Sequence, residues 1–180
     1  MIRLADARTM PWLGGGGITH EFARHPAEGD FGWRLSVAEV QQDGPFSRLD
    51  GVDRVIVLCS PGRMVLHVPD PLELQRFSPY VFDGGADVRC IIPDGPTLDF
   101  NVMTRRGVYV ADVVTLANET ADIDVPTDGL AFVFCMDGTV TCGDELRTFD
   151  LVQLDKPATV DAGGGAAAVV TIVAARPGVA

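Results

Sequence analysis

Apolar and polar residues alternate with period two in runs of about four to ten along the whole chain, and Gly, Pro, Asp or Ser interrupts them. Successive side chains of a strand point to opposite faces, whereas a helix returns to the same face every 3.6 residues, so this pattern selects strands. The clearest are Trp33–Val40, Val52–Cys59, Arg63–His67, Val88–Ile92, Thr97–Thr104, Val108–Leu116, Leu130–Met136, Leu151–Asp155 and Ala166–Ala175, with a strand-like stretch at Ile18–Phe22. No amphipathic helix of ordinary length is visible, and Pro71–Gln75 offers one helical turn. The 20 Gly and 12 Pro residues add turns, and the short spacing between runs means antiparallel hairpins, hence a sandwich or barrel.

An internal echo sharpens this expectation. Val55–Gly62 and Leu130–Gly138 each read as an apolar strand leading into a Gly turn. Downstream, Leu74-Gln75-Arg76-Phe77 with Val81-Phe82-Asp83 matches Leu146-Arg147-Thr148-Phe149 with Val152–Asp155. The expected organisation is one domain over 1–180 with pseudo-repeat halves of roughly 1–110 and 111–180, two small β-barrels sharing one core.

The chain's 180 residues are 47% hydrophobic and 22% charged, which excludes disorder from low hydrophobicity. Its net charge of -11 repels phosphates and anionic lipid alike, so neither a nucleic acid nor a membrane is an expected partner. The longest apolar stretch, Ala166–Ala175, is too short to span a bilayer. Met1–Asp6 shows no secretory pattern, and a cytoplasmic location is expected. Cys59, Cys90, Cys135 and Cys142 form no CxxC pair and read as buried thiols in a reducing compartment.

Three histidines, His20, His25 and His67, supply neither HxH nor HExxH spacing, so no metal site and no cofactor is expected, and His67 reads as a half-exposed strand residue. A GxSxG elbow is absent. The run Gly14–Gly17 lacks the Lys-Ser/Thr of a phosphate loop; its amides could form an anion nest, or the glycines could allow a tight backbone approach. Polar residues inside otherwise apolar strands say more. Alternation sets Arg34, Ser36 and Ala38 on one face of their strand, opposite Trp33, Leu35 and Val37. The same rule aligns Asp99, Asn101, Met103 and Arg105 opposite Phe100 and Val102, and Arg54 offers a second cation suited to a carboxylate. The structural alternative pairs these charges with each other, as Asp53–Arg54 and Asp99–Arg105 links at strand ends.

With these segments in view, the chain resembles the HutD/Ves family of bicupins. The resemblance runs through Arg8–Trp12, the Gly14–Gly17 run with Thr19 and Glu21, Trp33–Ser36 with Ala38, Gly44–Ser47, Gly51–Arg54 and Asp99–Arg106, covering about the first 110 residues. Beyond that it is similar mainly in strand pattern, with Gly143-Asp144 and Leu154-Asp155. It implies an all-β, double-stranded β-helix bicupin of the RmlC-like cupin superfamily, a homodimer without the usual metal histidines. In part of the family it implies control of histidine degradation, with a small carboxylate such as N-formylglutamate or formate as ligand. The family's Pro-Trp-Lys-Asn-Gly-Gly-Gly stretch reads here Pro11-Trp12-Leu13-Gly14-Gly15-Gly16-Gly17, which removes an ammonium and an amide.

The reading that follows is a non-enzymatic module binding a small anionic metabolite and regulating histidine or amino-acid catabolism. Arg34 and Arg105 hold carboxylate oxygens, Ser36 and Asn101 orient the ligand, and Asp99 holds an arginine or accepts from an amide. Trp12, Phe46 and Ser47 form the mouth, and Thr19, Glu21 and Arg54 complete the set. One alternative is a metal-independent isomerase or lyase with Glu21, Glu39 or Asp99 as base, although alternation puts Glu39 on the apolar face. The other is a structural dimer whose partner is a protein.

Overall fold

The computed structural model describes residues 1–12 and 15–176. They divide into two compact units, one over Ala7–Arg105 and one of Met1–Asp6 with the chain from Arg106 onward. The first unit holds β1 (Arg8–Pro11), β2 (Gly17–His25), β3 (Trp33–Val40), β4 (Gly44–Pro45), β5 (Val52–Leu58), β6 (Val65–His67), β7 (Pro71–Glu73), β8 (Pro79–Asp83), β9 (Arg89–Ile91) and β10 (Thr97–Arg105). The second holds β11 (Tyr109–Ala117), β12 (Thr120–Ile123), β13 (Gly129–Cys142), β14 (Asp144–Arg147), β15 (Leu151–Leu154) and β16 (Ala158–Ala174). Among the described residues the only helical segment is a 3-10 turn at Leu4–Asp6, and no helix is long and apolar enough to cross a membrane.

In the 7–105 unit, an antiparallel sheet runs β1-β2-β3-β10-β5-β8 and a smaller one β4-β9-β6-β7. Ile56, Leu58, Met64, Leu66, Phe82 and Cys90 pack into its core. The expected strands over Trp33–Val40 and Thr97–Thr104 form as β3 and β10, because their β-branched and aromatic residues fill both faces of a covered sheet. Pro71–Gln75 is not a helical turn: Pro71–Glu73 is strand β7, with His67 opposite Pro71 and Val65 opposite Glu73. Proline there is compatible with the edge of a sheet, where no ladder donor is missed. All four cysteines are buried and outside any disulfide, and His67 is half-buried on β6.

The other unit is built on the order β11-β16-β13-β14, with β12 also on β16 and β15 on β13. Ala131, Val133, Cys135, Leu146, Val160 and Val169 belong to its apolar core. The expected strand Leu130–Met136 is part of a much longer one, β13, and the expected Ala166–Ala175 lies, up to Ala174, within the longer β16, because glycine here serves close approach rather than chain reversal. A Cβ on Gly165 would run into the Asp137 carbonyl oxygen across the β13/β16 ladder.

The sequence echo has a backbone counterpart in each unit. Phe77 and Phe149 both adopt left-handed φ values, 64° and 68°. The Phe77 amide donates to the Leu58 carbonyl at 2.9 Å, and the Phe149 amide donates to the Cys135 carbonyl at 2.7 Å. A bulky residue rarely holds such a φ, so its occurrence at both matched positions identifies one local fold used twice. None of the three sheets closes into a continuous barrel of strand ladders among the described residues.

Candidate functional site

Register brings the polar residues of the 7–105 unit together. Across β2, β3, β10, β5 and β8, one row reads Arg24, Arg34, Met103, Arg54 and Phe82. The next row on that face reads Glu21, Ser36, Asn101 and Ile56, and the one beyond reads Thr19, Ala38, Asp99 and Leu58. Directly opposed residues point to the same face, so three rows stack guanidinium, amide and carboxyl groups in neighbouring layers. They border a cavity of about 200 Å3 lined by Arg34, Ser36, Arg54, Asp99, Asn101 and Met103, with Thr19, Ala38 and Leu49. Trp12, Phe46 and Ser47 also line it and border a wider outer basin with Gln42 and Asp43, so they stand where one space gives onto the other.

A hydrogen-bonded chain crosses the cavity wall. Arg54 Nη2 donates to Asn101 Oδ1 at 2.8 Å, and Asn101 Nδ2 donates to Asp99 Oδ1. Arg54 is buried, with its guanidinium 4.8 Å from the Phe82 ring centroid and 5.3 Å from that of Phe46. Burial holds its pKa down to about 10, Asp99 pulling it back up and Arg34 adding to the depression. Burial likewise lowers Arg34, with Glu21 opposing and Arg24 reinforcing. Arg34 Nη2 donates to the Met103 sulfur at 3.1 Å, a weak acceptor for so strong a donor. Asp99, wholly inaccessible to solvent, is pushed up to about 7 by burial, against the pull of Arg54 and the bond from Asn101.

Three groups around the cavity keep a polar atom that is buried and has no hydrogen-bond partner: Nε of Arg34, Nε of Arg54 and Oδ2 of Asp99. Leaving such groups unmade costs on the order of 1–3 kcal/mol each, more when charged, so the polar wall of this cavity carries unmet hydrogen-bonding capacity. Trp12 Nε1 donates to Thr19 Oγ1 at 2.9 Å, and the indole meets Phe46 edge-on with centroids 6.3 Å apart.

Two expected ligand-binding residues do not line this cavity. Arg105 ends β10 one row beyond Met103, where its guanidinium donates to the Asp50 carbonyl at 3.1 Å and lies 5.9 Å from the Phe31 ring centroid. Strand alternation gave its face but not where the cavity stops. Glu21 is buried beside the arginine row, with Oε2 4.0 Å from Arg24 Nη1, and acts on Arg34 through its charge. The Asp53–Arg54 link does not describe Arg54, whose partner is Asn101, while Asp53 belongs to the opposite face of β5. Glu39 also lies on the face away from the cavity, accepting from Gln41 Nε2. Leu13 and Gly14 lie outside the described residues.

Sequence reasoning missed Leu49, Phe31, Phe82 and Arg24. The first two lie in loops that no period marks. Phe82 is legible only once β8 is known to pair with β5. Arg24 reaches the cavity face because a register shift between Glu21 and Ala23 inserts one residue into β2. Among the described residues no group of three or more His, Cys, Asp or Glu side chains converges as a metal site would need.

Comparison with known proteins places this architecture. The HutD family model matches residues 4–171. The chain belongs to the HutD family. This HutD-family protein is 36% identical over 152 residues to Protein Ves of Citrobacter koseri, covering 81% of this chain and 78% of that one. It is 38% identical over 115 residues to an uncharacterized 21.2 kDa protein in the hutC 3′ region of Pseudomonas putida, 62% of this chain and 60% of that one. The structure of HutD from Pseudomonas fluorescens SBW25 (formate condition) superposes with a TM-score of 0.87 at 29% identity, covering 97% and 98% of the two chains. A cupin 2 conserved barrel domain protein from Leptotrichia buccalis, at 11% identity, 88% coverage of each chain and a TM-score of 0.52, shares the fold alone.

Proposed function

We propose that this HutD-family protein is a non-enzymatic bicupin that binds a small carboxylate between Arg34 and Arg54 and serves as a metabolite sensor in histidine or amino-acid catabolism. The observation that carries the reading is a pair of arginines lining one cavity, each keeping a buried Nε donor without a partner, since planar guanidinium groups bind carboxylates through their N–H groups. Asn101 and Ser36 orient the ligand, and Trp12 with Phe46 covers it. The family tie to HutD and the hutC-region relative support the pathway. A cytoplasmic homodimer is the assembly proposed with it.

Size narrows the ligand. About 200 Å3 is below the roughly 300–1,000 Å3 of drug-sized pockets, so a molecule of formate's size is enclosed, whereas N-formylglutamate would extend past Trp12 toward the outer basin. Asp99 gives a specific footing to a second reading, a metal-independent isomerase or lyase: a carboxyl pushed up to about 7 beside two cations is tuned for acid–base work.

The test is a thermal-shift panel with formate, N-formylglutamate, urocanate, histidine, glutamate and small hydroxy acids. A ligand bound only by the native state raises stability as RT ln(1 + [L]/Kd). Selective stabilisation by one carboxylate, lost in Arg34→Met with the melting of the free protein retained, is the expected outcome. Equal stabilisation of native protein and variant would remove Arg34 from the site. Turnover of the bound acid, lost in Asp99→Asn with binding kept, would favour the enzyme.

A further inference from the structure

Asp99 is the one carboxyl group among the residues that line the cavity, and the hydrogen-bond chain fixes which of its oxygens is left without a partner. Arg54 Nη2 can only donate, so the Asn101 atom it meets is Oδ1, and Nδ2 of the same amide is turned to Asp99. Asp99 Oδ1 is therefore committed as an acceptor. Oδ2 is buried, belongs to a cavity-lining residue and has no partner. Any proton carried by Asp99 sits on Oδ2.

Building on the carboxylate reading, we infer that Asp99 meets the ligand as a neutral carboxylic acid, its Oδ2 hydroxyl donating to the bound anion, so that on the alkaline side of neutrality the anion enters together with one proton from solvent. An ionised Asp99 would set two like charges side by side in a water-poor space, whereas the neutral acid turns a repulsive oxygen into a third donor beside the two arginines. The charged and titratable groups packed around Asp99 support this assignment. Arg54 on β5 attracts its negative form, and so does the amide of Asn101, yet burial outweighs both and holds the carboxyl near neutrality. Arg34 on β3 faces the same cavity, with Glu21 on β2 acting upon it. On β9, Cys90 is a buried thiol pushed up to about 12 by burial and then by the charges of Asp99 and Asp43, so it stays neutral and gives Asp99 no cation. A bound carboxylate adds negative charge next to the group and drives the proton further onto it.

The experiment is isothermal titration of the full chain with sodium formate, and separately with N-formylglutamate, from about pH 5.5 to about pH 8.5 in pairs of buffers with different ionisation enthalpies. Proton uptake approaching one per anion is expected on the alkaline side, with Kd weakening by up to about tenfold per pH unit there. Asp99→Asn keeps a donor that does not titrate, so its Kd should be flat with pH and its proton uptake lost. Should that variant fail to fold, the proton count on the native protein decides alone. Binding with no proton uptake and a flat pH profile would overturn the inference and leave the carboxylate reading standing. No binding of either anion at any pH would overturn both for these ligands.

Discussion

Asn101 is the side chain on which the polar half of the cavity turns, because a single amide joins a cation to an acid that do not bond each other directly. Burial, against the pull of that amide, also makes Asp99 a stability determinant without any ligand. The carboxyl stands at about 7 in the folded protein against an ordinary 3.8, so the native state binds more protons between those values. The contribution is fully present below the unfolded value and is lost as pH rises through about 7. Asp99→Asn lacks it. Between about pH 5.5 and about pH 8, the native protein should lose about 2 kcal/mol relative to that variant in urea unfolding. Parallel pH profiles for the two proteins would show Asp99 to be ionised throughout. At this scale strand alternation made Arg34, Ser36, Asp99, Asn101 and Met103 legible, because period two is a geometric property of the backbone. It misplaced Arg105, whose face is right but whose row lies beside Phe31 and Asp50, beyond the cavity.

Elements add what single-residue alternation cannot supply, the places where the period breaks. The shift in β2 between Glu21 and Ala23 aligns Arg24 with Arg34, and no composition signal announces it. The glycines of β16 were open to reading as turn signals, yet Gly164 and Gly165 lie opposite Thr139 and Gly138 inside the longest ladder of the protein. At Gly165 an added methyl group would meet the backbone oxygen of Asp137 and the amide of Thr139, neither of which is a flexible side-chain tip. Gly165→Ala should therefore cost about 3 kcal/mol or more, read as a lowered melting temperature, because the ladder must separate to admit it. Gly163→Ala, whose nearest neighbour is the Asp161 carboxylate at 3.0 Å, serves as the milder control. Equal melting of both variants would mean that the β13/β16 ladder yields where the close approach says it cannot.

For the molecule as a whole, the two units repeat one local fold around cores of different composition. The unit from Arg106 onward packs a cluster of Ala, Val, Leu and Cys, and the one buried polar side chain described for it is Asp150. The 7–105 unit surrounds a cavity with two guanidinium groups, in a chain whose net charge is -11. That contrast separates local from global electrostatics: the overall charge repels polyanions at long range, while a buried guanidinium is little screened and attracts negative charge close by. It was legible in the sequence, since the polar strand faces all fall in the first 110 residues, whereas the strand lengths of the other unit were not. The division makes a spatial prediction for hydrogen exchange. Saturating carboxylate should slow exchange in β3, β5 and β10, whose rows carry Arg34, Arg54, Asn101 and Asp99, and around Trp12 and Thr19. Amides of β13 and β16 should change little, because no group there contacts the ligand and their apolar core is already filled. Protection concentrated in β13 and β16 would place the binding site in the other unit and overturn the assignment to the arginine pair.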